Sequence, residues 1–173
     1  QTCALPIWSY NGSWVGSYAY TSGIASNAFS FDGVSSYVDA GSATGLLSSS
    51  ANPISISLWV NFEGDTHINY LAGLVSVGNT YVSIRGDIGR MVRFHVAGLG
   101  GVETAQEVSA SGWHHIVVVH NGGVVSSTNT SMYIDAVAAT VVDAGNGSLD
   151  LSSGHIMLGH SVDGTYYEHL LDE

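Results

Sequence analysis

Lysine is absent from the 173 residues, and three arginines (Arg85, Arg90 and Arg93) face fourteen carboxylates, for a formal net charge of −11. A surface of that sign repels phosphate backbones, which excludes nucleic acid as a partner. It suits cations, neutral polysaccharides, a salty habitat, or a merely soluble acidic surface. No apolar run reaches the roughly 18 residues that a membrane span needs. Proline occurs only twice and cysteine once, at Cys3, so neither a disulfide framework nor a cysteine-based zinc site can form.

That single cysteine lies in a segment that reads as foreign to the rest. Gln1-Thr2-Cys3-Ala4-Leu5-Pro6-Ile7 is the translation of CAG ACG TGT GCT CTT CCG ATC, a string that matches a common sequencing-library adapter. Residues 1–7 are therefore set aside as an adapter artefact, and residues 8–173 are taken as one domain, long enough to bury a sizeable core. The adapter also points to an environmental, bacterial source.

What the chain does have is β-forming. Hydrophobic residues make up 45 % of it, and 22 glycines punctuate short aromatic and β-branched stretches. The cleanest is Ile54 to Phe62, where Ile54, Ile56, Leu58, Val60 and Phe62 alternate with Ser55, Ser57, Trp59 and Asn61. Strict period two predicts a strand with that apolar stripe turned into a core. Further strands are predicted at 28–33, 37–40, 71–77, 80–85, 90–97, 113–120, 131–138, 140–143, 155–159 and 166–171, whereas residues 8–25 read as loop. Many short strands spaced by turns, with no convincing helix, predict an all-β, two-sheet antiparallel sandwich. Trp14 and Trp113 read as core residues.

Several of these pieces stand in the order of a known family: Phe31-Asp32-Gly33 with Tyr37-Val38, Ile54 to Val60, Gly112-Trp113-His114-His115-Ile116, Met132-Tyr133-Ile134-Asp135, Ile156 to Gly159, and Leu170-Leu171-Asp172-Glu173. Together they resemble the LamG-like jelly rolls of the concanavalin A-like lectin/glucanase superfamily. The resemblance implies a jelly-roll sandwich, with the family's first strand and the end of its last strand not represented. It further implies a non-catalytic carbohydrate-binding or adhesion module of a larger secreted or cell-surface protein. A structural spacer or protein-binding domain of a surface adhesin, or a fragment of a glycan-cleaving enzyme, is the alternative.

By the same resemblance a calcium ion is expected at the rim, with Asp32 and Asp172 as its ligands; hard cations take oxygen donors of this kind. Asp32 has a competing role, since a turn aspartate commonly bonds its own backbone. Asp143, Asn146 and Asp150 have loop-like oxygen spacing without the order of an EF-hand. His114 and His115 are adjacent on a strand, point to opposite faces, and cannot share a zinc ion. Retaining glucanases of the superfamily carry ExDxxE; here Glu63-Gly64-Asp65 begins it, but Ile68 stands where the last carboxylate belongs. No catalytic residue is assigned. For glycan binding, exposed aromatic rings provide stacking surfaces. The candidates on polar faces or in loops are Trp59, Tyr70, Tyr81, His95, Tyr166 and Tyr167. Each has a competing role, packing against the core or covering a sheet edge.

Overall fold

The 54–62 stripe lies where its period places it, at the centre of two packed sheets. A computed structural model describes residues 12–17, 19–24, 26–44, 53–62, 71–85, 90–109, 112–150, 153–162 and 164–172. Residues 1–11, which include the segment read from the sequence as adapter-derived, lie outside these. Among the described residues every regular element is a strand. The first half of the chain forms β1 (Ser13–Val15), β2 (Ala19–Ser22), β3 (Asn27–Asp32), β4 (Tyr37–Ser42), β5 (Ile54–Asn61), β6 (Leu71–Val77), β7 (Thr80–Arg85) and β8 (Met91–Val96). The second half forms β9 (Gly100–Thr104), β10 (Trp113–His120), β11 (Val124–Val125), β12 (Thr130–Ile134), β13 (Val137–Ala138), β14 (Val141–Asp143), β15 (Gly147–Ser148), β16 (His155–Leu158) and β17 (Glu168–Asp172).

Eight strands form one sheet in the order β1-β4-β16-β6-β7-β8-β9-β14, and seven form the other, β13-β12-β10-β5-β17-β3-β2. All ladders are antiparallel, and β11 with β15 makes a small third pair. The architecture is the expected all-β jelly-roll sandwich. Leu58, Val60 and Phe62 of the stripe are buried with Ile116, Val118 and Met132 on one side of the core. Val82, Ile84, Val92 and Phe94 of the eight-stranded sheet face them. Leu71–Val77 and Thr80–Arg85 form with the predicted bounds, as their β-branched and aromatic content favours.

Two expectations are corrected. The segment read as loop contains β1 and β2; they bracket an aromatic cluster in which Trp14 lies 5.4 Å from Phe29 and 5.4 Å from Phe31. The run 131–138, read as one strand, breaks into β12 and β13 at Asp135 and Ala136, with φ of 52° and 65°. Both residues take the left-handed conformation of a tight hairpin turn. Neither is the glycine that usually announces one.

A histidine is buried among these apolar side chains. His120 is fully buried, its Nδ1 3.0 Å from Thr130 Oγ1 and its ring 5.7 Å from Phe94. Burial pushes the imidazole pKa below its ordinary 6.5, against the backbone bonds to Gly123 and Asn129 that favour the charged form. The unfolded chain therefore takes up this proton at a higher pH than the folded one. Stability is expected to fall as pH drops below about 6.5, and to level off once the folded imidazole is protonated. Urea titrations at pH 7.5 and 5.0 should show a larger loss for the wild type than for His120→Leu. Equal losses would remove His120 as the cause.

Candidate ligand-binding surface

Alternation along β5 leaves Ser57, Trp59 and Asn61 on the outer face of the seven-stranded sheet. Trp59 stands opposite His115 of β10 on one side and Asp172 of β17 on the other. The indole and imidazole stack, with centroids 4.8 Å apart and planes 25° from parallel. The Ser57 hydroxyl bonds His115 Nε2 at 2.9 Å, which fixes the imidazole under the indole. Asp172 is 8 % exposed, and its Oδ2 accepts the Ile24 N–H at 2.7 Å. Farther along this face Val117 stands beside Tyr133, which is 37 % exposed. Trp113, read from the sequence as core, is only half-buried, and the alternation of β10 puts it on this outer face with His115. The signal was available in the sequence: Trp113, His115 and Val117 share one parity, and Ile116 and Val118 the other.

Tyr166 belongs to a second aromatic group, at the turn between β16 and β17. Its ring lies 4.5 Å from His160 and 6.3 Å from Tyr37, and Tyr37 stacks on His160 at 5.0 Å. The bridge between His160 and Tyr166 holds the turn together. All three are half-buried.

Tyr81, His95 and Tyr167 are corrections. They were expected on polar faces or in loops, but they are 5 %, 3 % and 1 % exposed. Tyr167 packs edge-on against Phe62 at 6.4 Å and donates its hydroxyl proton to the Asn61 carbonyl at 2.8 Å. Tyr81 and His95 are cross-strand partners on the outer side of the eight-stranded sheet. Arg93 brings guanidinium nitrogens to 3.0 and 3.1 Å from the His95 ring and lies 3.4 Å from Glu103. Period two gives a residue its side of a sheet but not whether that side is open to water. Tyr70 lies outside the described residues, as do Glu63 and Asp65.

The two aspartates expected to share a calcium ion are apart. Asp32 stands opposite Glu168, and Asp172 is four residues farther along β17, about 13 Å away. Asp32 Oδ1 accepts the N–H groups of Val34, Ser35 and Ser36 at 2.8–2.9 Å, and Oδ2 the Ser35 hydroxyl at 2.9 Å. The amides of Ser35, Val34 and Ser36 hold its carboxyl far below the usual carboxylate range. Gly33, at φ 70°, lets the turn close. This pair does not fit one shared ion. Asp143 is likewise engaged, by the Ser127 N–H at 2.6 Å and the Ser127 hydroxyl at 3.0 Å. Among the described residues no three His, Cys, Asp or Glu side chains converge on a metal position.

One further set of bonds has chemical interest. Ser109 Oγ lies 2.9 Å from His114 Nε2, and His114 Nδ1 lies 2.7 Å from Asp135 Oδ2. Serine hydrolases use this atomic order. Here the other Asp135 oxygen accepts the His115 N–H at 2.9 Å, so the carboxylate ties the β12–β13 turn to β10. Burial works to raise the Asp135 pKa, but the bonds to His114 and the His115 amide carry it below its ordinary value. Together these bonds tie Ser109 and the β12–β13 turn to β10.

Two antiparallel sheets in this order define a jelly-roll domain of the lectin type. The family model of the concanavalin A-like lectin/glucanases superfamily matches residues 32–173, and the chain belongs to that superfamily. No curated protein sequence matches it. Among solved structures, domain 4 of AbnA, a GH43 extracellular arabinanase from Geobacillus stearothermophilus solved with arabinotriose, is similar in fold. It has 20 % identity and a TM-score of 0.63 over 91 % of this chain and 73 % of that one. The binding domain of Paraclostridial Mosquitocidal Protein 1 is also similar, with 12 % identity and a TM-score of 0.62 over 94 % of this chain; the match spans 42 % of that chain. At these identities the likeness concerns the fold.

Proposed function

We propose that the protein is a non-catalytic carbohydrate-binding module that takes a neutral glycan on the outer face of its seven-stranded sheet. The observation that carries this reading is the Trp59–His115 stack, held by Ser57 and bordered by Asp172. A fixed aromatic pair presents an apolar surface to the C–H face of a sugar ring, while neighbouring hydroxyl and carboxylate groups orient its hydroxyls. The net charge of −11 favours an uncharged polysaccharide over an acidic one. The same fold holding arabinotriose in AbnA domain 4 makes neutral oligosaccharides the first ligands to try. We place the module in a secreted or cell-surface protein, where polysaccharides and adhesion partners are met.

A glycan array including arabinans and β-glucans tests the reading. Trp59→Ala is expected to weaken binding about tenfold, equivalent to roughly 1.4 kcal/mol. The thermal midpoint should move little, because the ring lies on an outer face. Silence of the wild type on all glycans would favour a structural spacer, and unchanged binding by Trp59→Ala would move the site elsewhere, with Tyr166→Ala as the next variant. Since Asp32 and Asp172 are engaged by backbone amides and stand apart, chelation of calcium is expected to leave binding unchanged. Loss of the array signal in EDTA would overturn that expectation.

A further inference from the structure

The outer face that carries the Trp59–His115 stack continues past it in register. Ser57 of β5 stands opposite Val117 of β10, Val117 opposite Tyr133 of β12, and Tyr133 opposite Ala138 of β13. Directly opposed residues share a face, so this row lies on the same side of the sheet as the indole. Tyr133 keeps 37 % of its surface exposed there. Two strand spacings and two residues separate Trp59 from Tyr133, which puts their Cα atoms about 12 Å apart. An aromatic ring beside a β-branched neighbour, as Tyr133 is beside Val117, is ordinary sheet packing. Packing alone does not call for the hollow next to it.

Strand β13 pairs with β12 only at Tyr133 and Ile134, after which the Ala139 N–H bonds the Met132 carbonyl at 2.9 Å. The chain then leaves for β14 in the other sheet. Among the described residues no strand pairs with Thr130 and Ser131 on that side. A cavity of about 200 Å³ opens at this edge, lined by Ser127, Thr130, Ser131, Tyr133, Ala138 and Val141 among others. Its lining is largely polar. Ser131 is exposed and stands opposite Val119, on the same face as Tyr133. The Ser127 hydroxyl donates to Asp143, and its oxygen keeps a lone pair for another donor. An exposed ring, two hydroxyls and a stretch of strand backbone therefore meet at one end of the row.

We propose that the glycan is held as an extended oligosaccharide running obliquely across β5, β10 and β12, rather than as a single sugar. One ring lies on the Trp59–His115 stack and the chain crosses Ser57 and Val117. A later ring lies against Tyr133, and the sugar beyond it sits in the cavity. Tyr133 meets the C–H face of its ring, as the indole does. Ser131, Ser127 and the backbone of Thr130 and Ser131 bond the hydroxyls of the last sugar. A separation of about 12 Å is more than one sugar ring spans, so only a chain reaches both aromatic stations. Once the first ring is bound, the second contact is made within one complex and adds to affinity without a second encounter. Asp143 beside the cavity and the net charge of −11 disfavour an acidic sugar there. This inference rests on the glycan reading and adds to it the length and direction of the ligand.

Disaccharides and tetrasaccharides of arabinan and of β-glucan test it, titrated calorimetrically into the whole chain and followed by amide NMR. In the wild type the tetrasaccharide of the sugar that binds should bind about tenfold more tightly than its disaccharide. Amide shifts at residues 131–133 and 138 should accompany the tetrasaccharide and not the disaccharide. Tyr133→Ala should bring the ratio of the two affinities close to one, and Ser131→Val should lower it part of the way. Equal affinities for both lengths in the wild type would overturn the proposal. So would a ratio that survives Tyr133→Ala, or shifts that stay at Trp59 and His115 with the longer ligand. In any of those cases a loss of binding in Trp59→Ala would leave the aromatic stack standing as the glycan site and remove only its extension. Silence of the wild type toward every probe would overturn both readings.

Discussion

Phe62→Ala is expected to lower the unfolding free energy by about 3–5 kcal/mol, a large part of what holds a domain of this size together. Phe62 is fully buried at the end of the inward stripe. Its ring stands 6.1 Å from His114, nearly parallel to it, and 6.4 Å from Tyr167, perpendicular to it. Neither neighbour is free to collapse into the gap left by alanine. His114 is tied to Ser109 and Asp135, and Tyr167 to the Asn61 carbonyl. A cavity whose walls are anchored keeps its volume, and the cost of a truncation rises with the volume that remains. Urea unfolding followed by tryptophan fluorescence should show the midpoint moving to lower urea with an unchanged slope. A loss under about 1 kcal/mol would mean that the site relaxes and that the anchoring bonds do not hold.

Gly101→Ala is expected to be comparably severe, about 3 kcal/mol or more, through crowding rather than loss of contacts. Gly101 stands opposite His95 where β9 meets β8. A Cβ there would come within 2.2 Å of the Phe94 carbonyl oxygen and 2.9 Å of the His95 Cα. Both are backbone atoms of the neighbouring strand, so no side-chain rotation relieves the clash. The β8–β9 ladder would have to part next to Phe94, which is fully buried. The same urea titration measures it, with soluble yield as a second readout. An alanine variant as stable as the wild type would show that the two strands can separate at little cost.

The proposed ligand surface was legible only in part. Trp59 was readable because its neighbours alternate so strictly that its side of the strand is fixed. Trp113 was misplaced because its bulk suggested burial more strongly than its parity suggested an outer face. Tyr81 and His95 have the right parity for an outer face and are nevertheless buried. Tyr167 is buried because its hydroxyl finds a carbonyl acceptor 106 positions away in sequence. The break at Asp135 and Ala136 was hidden because neither residue advertises a positive φ as glycine would.

Composition, charge and the alternation of apolar residues determined the all-β class, most of the strands, and the inward face of β5. These follow from the two-residue period of a strand, which every local window carries. Only the tertiary structure decided which outer faces meet water and that Asp32 stands opposite Glu168, four residues from Asp172 along β17. Exposure, distance and pairing depend on residues far away along the chain, and no local pattern encodes them.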